Sequence, residues 1–177
     1  MGTETQFTLL IAGPDHENVK KMVQLNEGLA TKIVVSRWEN GNSHGLVSPV
    51  QIVASPLPGL EKLNRLHNSQ NIYLQATTVL AGLEKVDTPY VIKTRSDEFF
   101  SNLALMVEAF NPKKLLFANI FIRDVSYRPY HISDHLFIGS TDRIKSAFIL
   151  LKRYIENAGC AAGYITWTLP RSIWPQP

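Results

Sequence analysis

A chain of 177 residues, 45% of them hydrophobic, is long enough to bury one substantial core, and its length does not call for two domains. Charged residues make up 19% with both signs present, which argues against disorder, and a net charge of +3 with a pI near 9.0 is only mildly basic. The single cysteine, Cys160, excludes an intramolecular disulfide and any cysteine-rich metal cluster, and no apolar run approaches the roughly 18 residues of a membrane span.

The N-terminus lacks the apolar core of a signal peptide, and "MGTETQ" has Gln6 where a myristoylation signal needs Ser or Thr, so the expected setting is cytoplasmic, with no transmembrane segment. Charge is unevenly spread. Residues 1–89 hold seven Lys/Arg against eight Asp/Glu, and residues 90–177 hold eleven against seven, so the second half favours anions. The interleaved aromatic and basic residues of a nucleic-acid platform are missing, and nucleic acid is not an expected partner.

"FTLLIAG" (7–13) is a continuous apolar run closed by Gly13 and Pro14, the pattern of a strand buried on both faces that ends in a turn. A helix is expected next, capped by Asp15, with Val19, Met22, Val23 and Leu29 at helical spacing and Gly28 near its stop. "TKIVVSRW" (31–38) and "QIVAS" (51–55) read as strands, separated by the loop "ENGNSHG".

Ile72, Ala76, Val79, Leu80, Leu83 and Val86 form an apolar stripe of 3.6 period, so 69–86 is a helix suited to packing on a sheet. Asn71, Gln75, Thr78 and Gly82 share another face, which reads either as solvated or as lying beneath a ligand.

"PYVIKTR" (89–95) is the fourth strand, followed by an acidic turn, a short helix near 101–110 and a strand "KLLFANIFI" at 114–122. "HLFIG" (135–139) is strand-like, and "STDRIKSAFILLKRYIENAG" carries the apolar stripe of an amphipathic helix ending at Gly159. Strands alternating with helices imply an α/β sandwich with a largely parallel sheet, one domain over 1–160 with an irregular Pro-rich tail over 161–177. Exposed apolar groups near Ile165, Trp167 and Trp174 suggest an interface, with a homo-oligomer as one outcome and ordinary core packing as the other.

The chemistry concentrates in "YVIKTRSDEFF" (90–100). Alternation puts Val91, Lys93 and Arg95 on one strand face, and ligands of open α/β sheets gather beyond the carboxyl ends of strands, where Arg95, Asp97 and Glu98 fall. A hard divalent cation takes carboxylate oxygens and is commonly completed by substrate phosphates, so Asp97 and Glu98 could form a metal–diphosphate site with Lys93 and Arg95 beside it. The alternative is structural: Arg95 pairs with Asp97, or Asp97 caps the next helix.

His131, Ser133, Asp134 and His135 form a second cluster, in which an Asp or His could serve as general base toward a hydroxyl. A metal pair of His131 and His135 and a plain loop histidine are the other readings. Arg123, Tyr127 and Arg128 could reach an anionic ligand across the same rim, while Lys113 and Lys114 read as solvated.

"NIYLQATTVLAGL" (71–83), "YVIKTRSDEFF" (90–100) and "YHISDHLFIGSTDRI" (130–144), in this order, resemble the WavE-type lipopolysaccharide synthesis proteins, over about residues 7–155. Gln75, Thr78, Gly82 and Leu83 match the helix pattern, whereas Leu74 stands where an arginine is expected. The resemblance implies a GT-A-like three-layer fold and transfer of a sugar from a nucleotide-sugar donor to a saccharide or lipid-linked saccharide acceptor. It implies Mn²⁺ or Mg²⁺ held by Asp97 and Glu98, cofactor contacts from Gly13, Gln75, Lys93, Arg95 and Asp97, and catalysis by Asp134 with His135 behind it. Family members run on beyond the last helix, so a shortened chain is expected, with a non-catalytic nucleotide or nucleotide-sugar binding domain as the alternative function.

Overall fold

The structure, a computed structural model, describes residues 6–41, 45–46, 50–59, 69–118 and 134–157. Ten elements follow one another among them: β1 (Phe7–Ala12), α1 (Asn18–Leu25), β2 (Lys32–Trp38), β3 (Val50–Ser55), α2 (Ser69–Leu83), β4 (Tyr90–Arg95), α3 (Leu103–Glu108), β5 (Leu116–Phe117), β6 (Leu136–Ser140) and α4 (Thr141–Asn157). They build one six-stranded sheet of order β3-β2-β1-β4-β6-β5, in which β1 to β4 run parallel and β6 lies antiparallel to both β4 and β5.

Period-2 alternation divides the core. Leu9, Ile11, Ile33, Val35 and Ile92 meet Val19, Met22 and Val23 of α1 and Leu103 of α3 on one face. Leu10, Ala12, Val34, Val91 and Phe137 meet Ala76, Val79 and Leu83 of α2 and Ile144 and Phe148 of α4 on the other. The result is the expected mixed α/β sandwich of three layers, with β1 buried along its whole length.

Several local expectations are corrected. The turn residue preceding α1 is Glu17 and no side-chain cap is made there, so Asp15 does not cap; the His16 imidazole accepts the Asn18 N–H instead, at 3.2 Å. The short helix starts after Asn102, again with no side-chain cap, so Asp97 does not cap it either.

The Asn71 face of α2 is not solvated beyond its first turn. Thr78 is buried with its carbonyl accepting from Ser36 Oγ at 2.6 Å, and a Cβ on Gly82 would strike Leu10 and Ser36, so this face lies against the sheet. Small residues are needed there because the helix backbone approaches β1 and β2 closely.

The strand expected at 114–122 is Leu116–Phe117 among the described residues, with Lys114, Leu115 and Ala118 outside it, while 119–122, the loop with Arg123, Tyr127 and Arg128, and His131 and Ser133 lie outside the described residues. So do Cys160, the Gly159 stop, the 161–177 tail with Ile165, Trp167 and Trp174, and residues 1–5. No helix among the described residues is long and apolar enough to cross a membrane.

Candidate functional site

Register sets the site. Ala12, Ser36 and Arg95 are level across β2, β1 and β4, so the carboxyl ends of three parallel strands form one edge. Because β6 runs antiparallel, its amino end arrives at that same edge, Thr94 opposite Leu136, and the ladder continues as the Arg95 N–H donates to the His135 carbonyl at 3.3 Å. The turn after β4 and the residues before β6, 37 positions apart in sequence, are thereby neighbours.

Arg95 is the hub. Its Nε donates to Asp97 Oδ1 at 2.8 Å and its Nη2 to Asp97 Oδ2 at 2.5 Å, a two-pronged pair, while Nη1 reaches Asp134 Oδ2 at 3.3 Å. Gln75, from the second turn of α2, donates to the same Asp134 oxygen at 2.6 Å. The Asp97 hydrogen bonds, with its charge, raise the Arg95 guanidinium further above its ordinary value, and in return Arg95 holds the Asp97 carboxyl below the usual carboxylate range.

Asp134 is mostly buried, with 13% side-chain exposure, and burial alone would raise its proton affinity. The charge of Lys93, the Gln75 hydrogen bond and the charge of Arg95 together outweigh that and leave it lowered. A carboxylate so stabilised is a weak proton acceptor.

Lys93 is turned into the core. It is fully buried on the α2–α4 face, its Nζ 5.4 Å from the Phe137 ring centre and 5.9 Å from that of Phe148, and it donates to the Asp134 carbonyl. Burial depresses its pKa to about 8 against the opposing pull of Asp134. Lys93 and Arg95 share a strand face as alternation predicts, yet Lys93 supports Asp134 from below the site.

Glu98 turns away from Asp97 and meets His135, Oε1 to Nδ1 at 2.7 Å, while His135 Nε2 lies 3.7 Å from Asp134 Oδ1. That bond fixes the orientation of the imidazole ring. This pairing is absent from any local pattern, since it joins two segments that only the antiparallel β6 brings together.

Gly13 lies beyond β1 with φ +148°, and a Cβ there would stand 2.5 Å from Ser96 Oγ, which itself donates to the Pro14 carbonyl at 2.6 Å. Both conformation and space require glycine. Gly13→Ala is expected to cost about 2 kcal/mol and to lower the melting temperature by about 4–8 °C. An unchanged thermal melt would mean the turn adapts at no cost.

Of the expected site residues, the fold thus brings Gln75, Arg95, Asp97, Asp134, Glu98 and His135 into one polar cluster, puts Lys93 beneath it and Gly13 on the neighbouring strand end. Sequence reasoning passed over Arg37, at the end of β2, and Asn18, whose Nδ2 donates to the Asp97 carbonyl at 3.2 Å and ties α1 to the acidic turn. The position of Arg37 at the carboxyl end of a parallel strand was the available signal.

The profile of the WavE lipopolysaccharide synthesis family matches residues 29–148, more than half the chain and inclusive of every cluster residue. The chain belongs to the WavE lipopolysaccharide synthesis family. Among solved structures, this WavE-family chain is similar to the bifunctional IspDF from Campylobacter jejuni, at 12% identity and TM-score 0.47 over 93% of this chain and 50% of that one. It is also similar to 2-C-methyl-D-erythritol 4-phosphate cytidylyltransferase from Thermus thermophilus, at 10% identity and TM-score 0.47 over 97% and 92%. The chain spans about half the length of the first of these. A search of the curated proteins finds no match.

Proposed function

We propose that this WavE-family protein transfers a sugar from a nucleotide-sugar donor to a saccharide acceptor on a GT-A-like scaffold. The observation that carries the reading is the Arg95–Asp97–Asp134–Gln75 cluster, built at the carboxyl edge of a parallel sheet in a chain of a lipopolysaccharide synthesis family. Saccharide or lipid-linked saccharide serves as acceptor, and the working compartment is the cytoplasm.

Charge supports a divalent cation, Mn²⁺ or Mg²⁺. Lys93 and Arg95 stand against Asp97, Glu98 and Asp134, a sum of two positive and three negative charges, or −1, to which a diphosphate adds more negative charge. Among the described residues no group of three His, Cys, Asp or Glu converges to hold an ion, so a metal here depends on the donor's own phosphates for much of its shell. Asp97 and Glu98 are the residues that would hold it, through oxygens now engaged by Arg95 and His135 respectively. Such a cation, when bound, stabilises the departing nucleoside diphosphate.

The protein's own groups divide the remaining work. Gln75 and Arg95 fix Asp134, and Lys93 fixes the backbone that carries it. His135, oriented by Glu98, is the better proton acceptor for the incoming hydroxyl, because Asp134 is held ionised by two cations and an amide. As the acceptor oxygen bonds to the anomeric carbon, the bond to the diphosphate breaks and its electron pair leaves with the nucleotide.

A thermal-shift panel of nucleoside diphosphates and nucleotide sugars, with and without Mn²⁺, tests the reading. At least one is expected to stabilise the protein in a metal-dependent way, and Asp97→Ala is expected to remove the metal dependence. Binding without donor hydrolysis or transfer, unaffected by Asp97→Ala, would instead identify a non-catalytic nucleotide-sugar binding domain.

A further inference from the structure

We infer that Arg37 is the cation that meets the donor's phosphate charge, at the mouth of a small cleft beside the Arg95 cluster. The starting point is what each cation at this edge already does. Arg95 is committed to Asp97 and Asp134, and Lys93 is buried on the Asp134 carbonyl. Neither offers charge to an anion without giving up a carboxylate or leaving the core.

Among the described residues, Arg37 is committed to nothing comparable. Its guanidinium makes one long bond there, Nη1 to the Trp38 carbonyl at 3.4 Å, and its Nε is buried with no hydrogen-bond partner among them. Leaving a buried charged donor unsatisfied is destabilising by more than the loss of a neutral bond, and native structures rarely tolerate it where nothing is gained. Arg37 also lines a small cleft of about 10 Å³ together with Gly13, Asp15, Val19 and Ser96, so its guanidinium meets an anion at the mouth of that cleft rather than inside it.

The position suits a ligand that also reaches the acidic turn. Ala12 pairs with Ser36 on one side and Arg95 on the other, so Arg37 and Ser96 flank Gly13 across the ends of three adjacent strands. Adjacent strands lie about 4.8 Å apart, which separates the β2 and β4 ends by about 10 Å, within the span of one nucleoside diphosphate. Gly13 lets the Ser96 hydroxyl pack against the β1 end between them, and its backbone geometry is one that other residues rarely adopt. Asp15 also lines the cleft but has a partner of its own, whereas the neighbouring cluster sums to −1. A phosphate is therefore better met at Arg37 than at Arg95.

The inference rests on the nucleotide-donor reading, and its test separates the two. Wild type, Arg37→Met and Arg37→Lys are titrated calorimetrically with a nucleoside diphosphate, the matching nucleoside and inorganic pyrophosphate, and melted without ligand. Arg37→Met is expected to weaken the diphosphate and pyrophosphate by about tenfold or more while leaving the nucleoside unchanged, with Arg37→Lys between the two. Its melting temperature without ligand should equal or exceed that of wild type, because an unsatisfied buried donor is removed.

Equal binding of the diphosphate by wild type and Arg37→Met overturns the role of Arg37 and leaves the nucleotide reading standing. Pyrophosphate bound through Arg37 with no nucleotide bound keeps the anion site and removes the nucleotide reading. Failure of pyrophosphate and the diphosphate to bind wild type removes the site altogether.

Discussion

Arg95→Met is expected to lower kcat/KM for sugar transfer by at least about 100-fold and to destabilise the protein by about 1–3 kcal/mol. Methionine fills the aliphatic path but leaves Asp97 without its two-pronged partner and Asp134 with Lys93, Gln75 and His135 as its remaining partners. Two carboxylates then face each other and His135–Glu98 across a site that carries three negative charges against one positive.

Arg95→Lys separates charge from geometry. An ammonium restores the charge but cannot donate in parallel to both Asp97 oxygens while reaching Asp134, so stability should recover more fully than turnover. Steady-state kinetics and chemical denaturation on the three proteins supply the comparison. Full activity in Arg95→Met would show that the cluster is a structural ion pair unconnected to catalysis.

The second large effect is on stability and comes from Lys93. Its folded-state pKa near 8 lies below the 10.5 of an unperturbed lysine. Between those values the unfolded chain binds the proton that the folded chain has released, so stability rises with pH across that window, and the penalty is fully present below it. A displacement of this size corresponds to about 3 kcal/mol.

Lys93→Met, of similar length and without charge, should remove that rise. Denaturation of wild type and variant from pH 7 to 10.5 should give curves whose difference grows by about 3 kcal/mol in favour of wild type. Taking the difference cancels the tyrosines and Cys160, which titrate in both proteins. Parallel curves would mean that Lys93 keeps an ordinary pKa in the folded state.

The same variant should bind donor more weakly although it loses a buried charge, because the Asp134 carbonyl loses the donor that anchors it. Replacing a buried charge by an apolar chain is often neutral or stabilising, so the retention of lysine here follows from what it holds in place. That couples stability to the site.

Much of this protein is determined by the sequence alone, for reasons that are local. Apolar runs such as "FTLLIAG" and the 3.6-period stripe from Ile72 to Val86 need only counting to become a buried strand and a sheet-packing helix, because side-chain direction repeats with backbone geometry. Alternation likewise put Lys93 and Arg95 on one face, and β4's end placed Asp97 at the carboxyl edge of the sheet.

What alternation leaves open is whether a side chain on a given face meets water, core or ligand. Lys93 went under Phe137 and Phe148, and Thr78 and Gly82 went against the sheet, because neighbours distant in sequence decided how close the layers approach. The Glu98–His135 bond, the Gln75–Asp134 bond and the uncommitted Arg37 beside Gly13 depend on strand order and on the reversed direction of β6. Pairing between segments 37 to 59 residues apart leaves no trace in local periodicity, since it is decided by which strands share hydrogen bonds. Residue types were legible from the chain; which charge answers which was settled only when the sheet brought its strand ends to one edge.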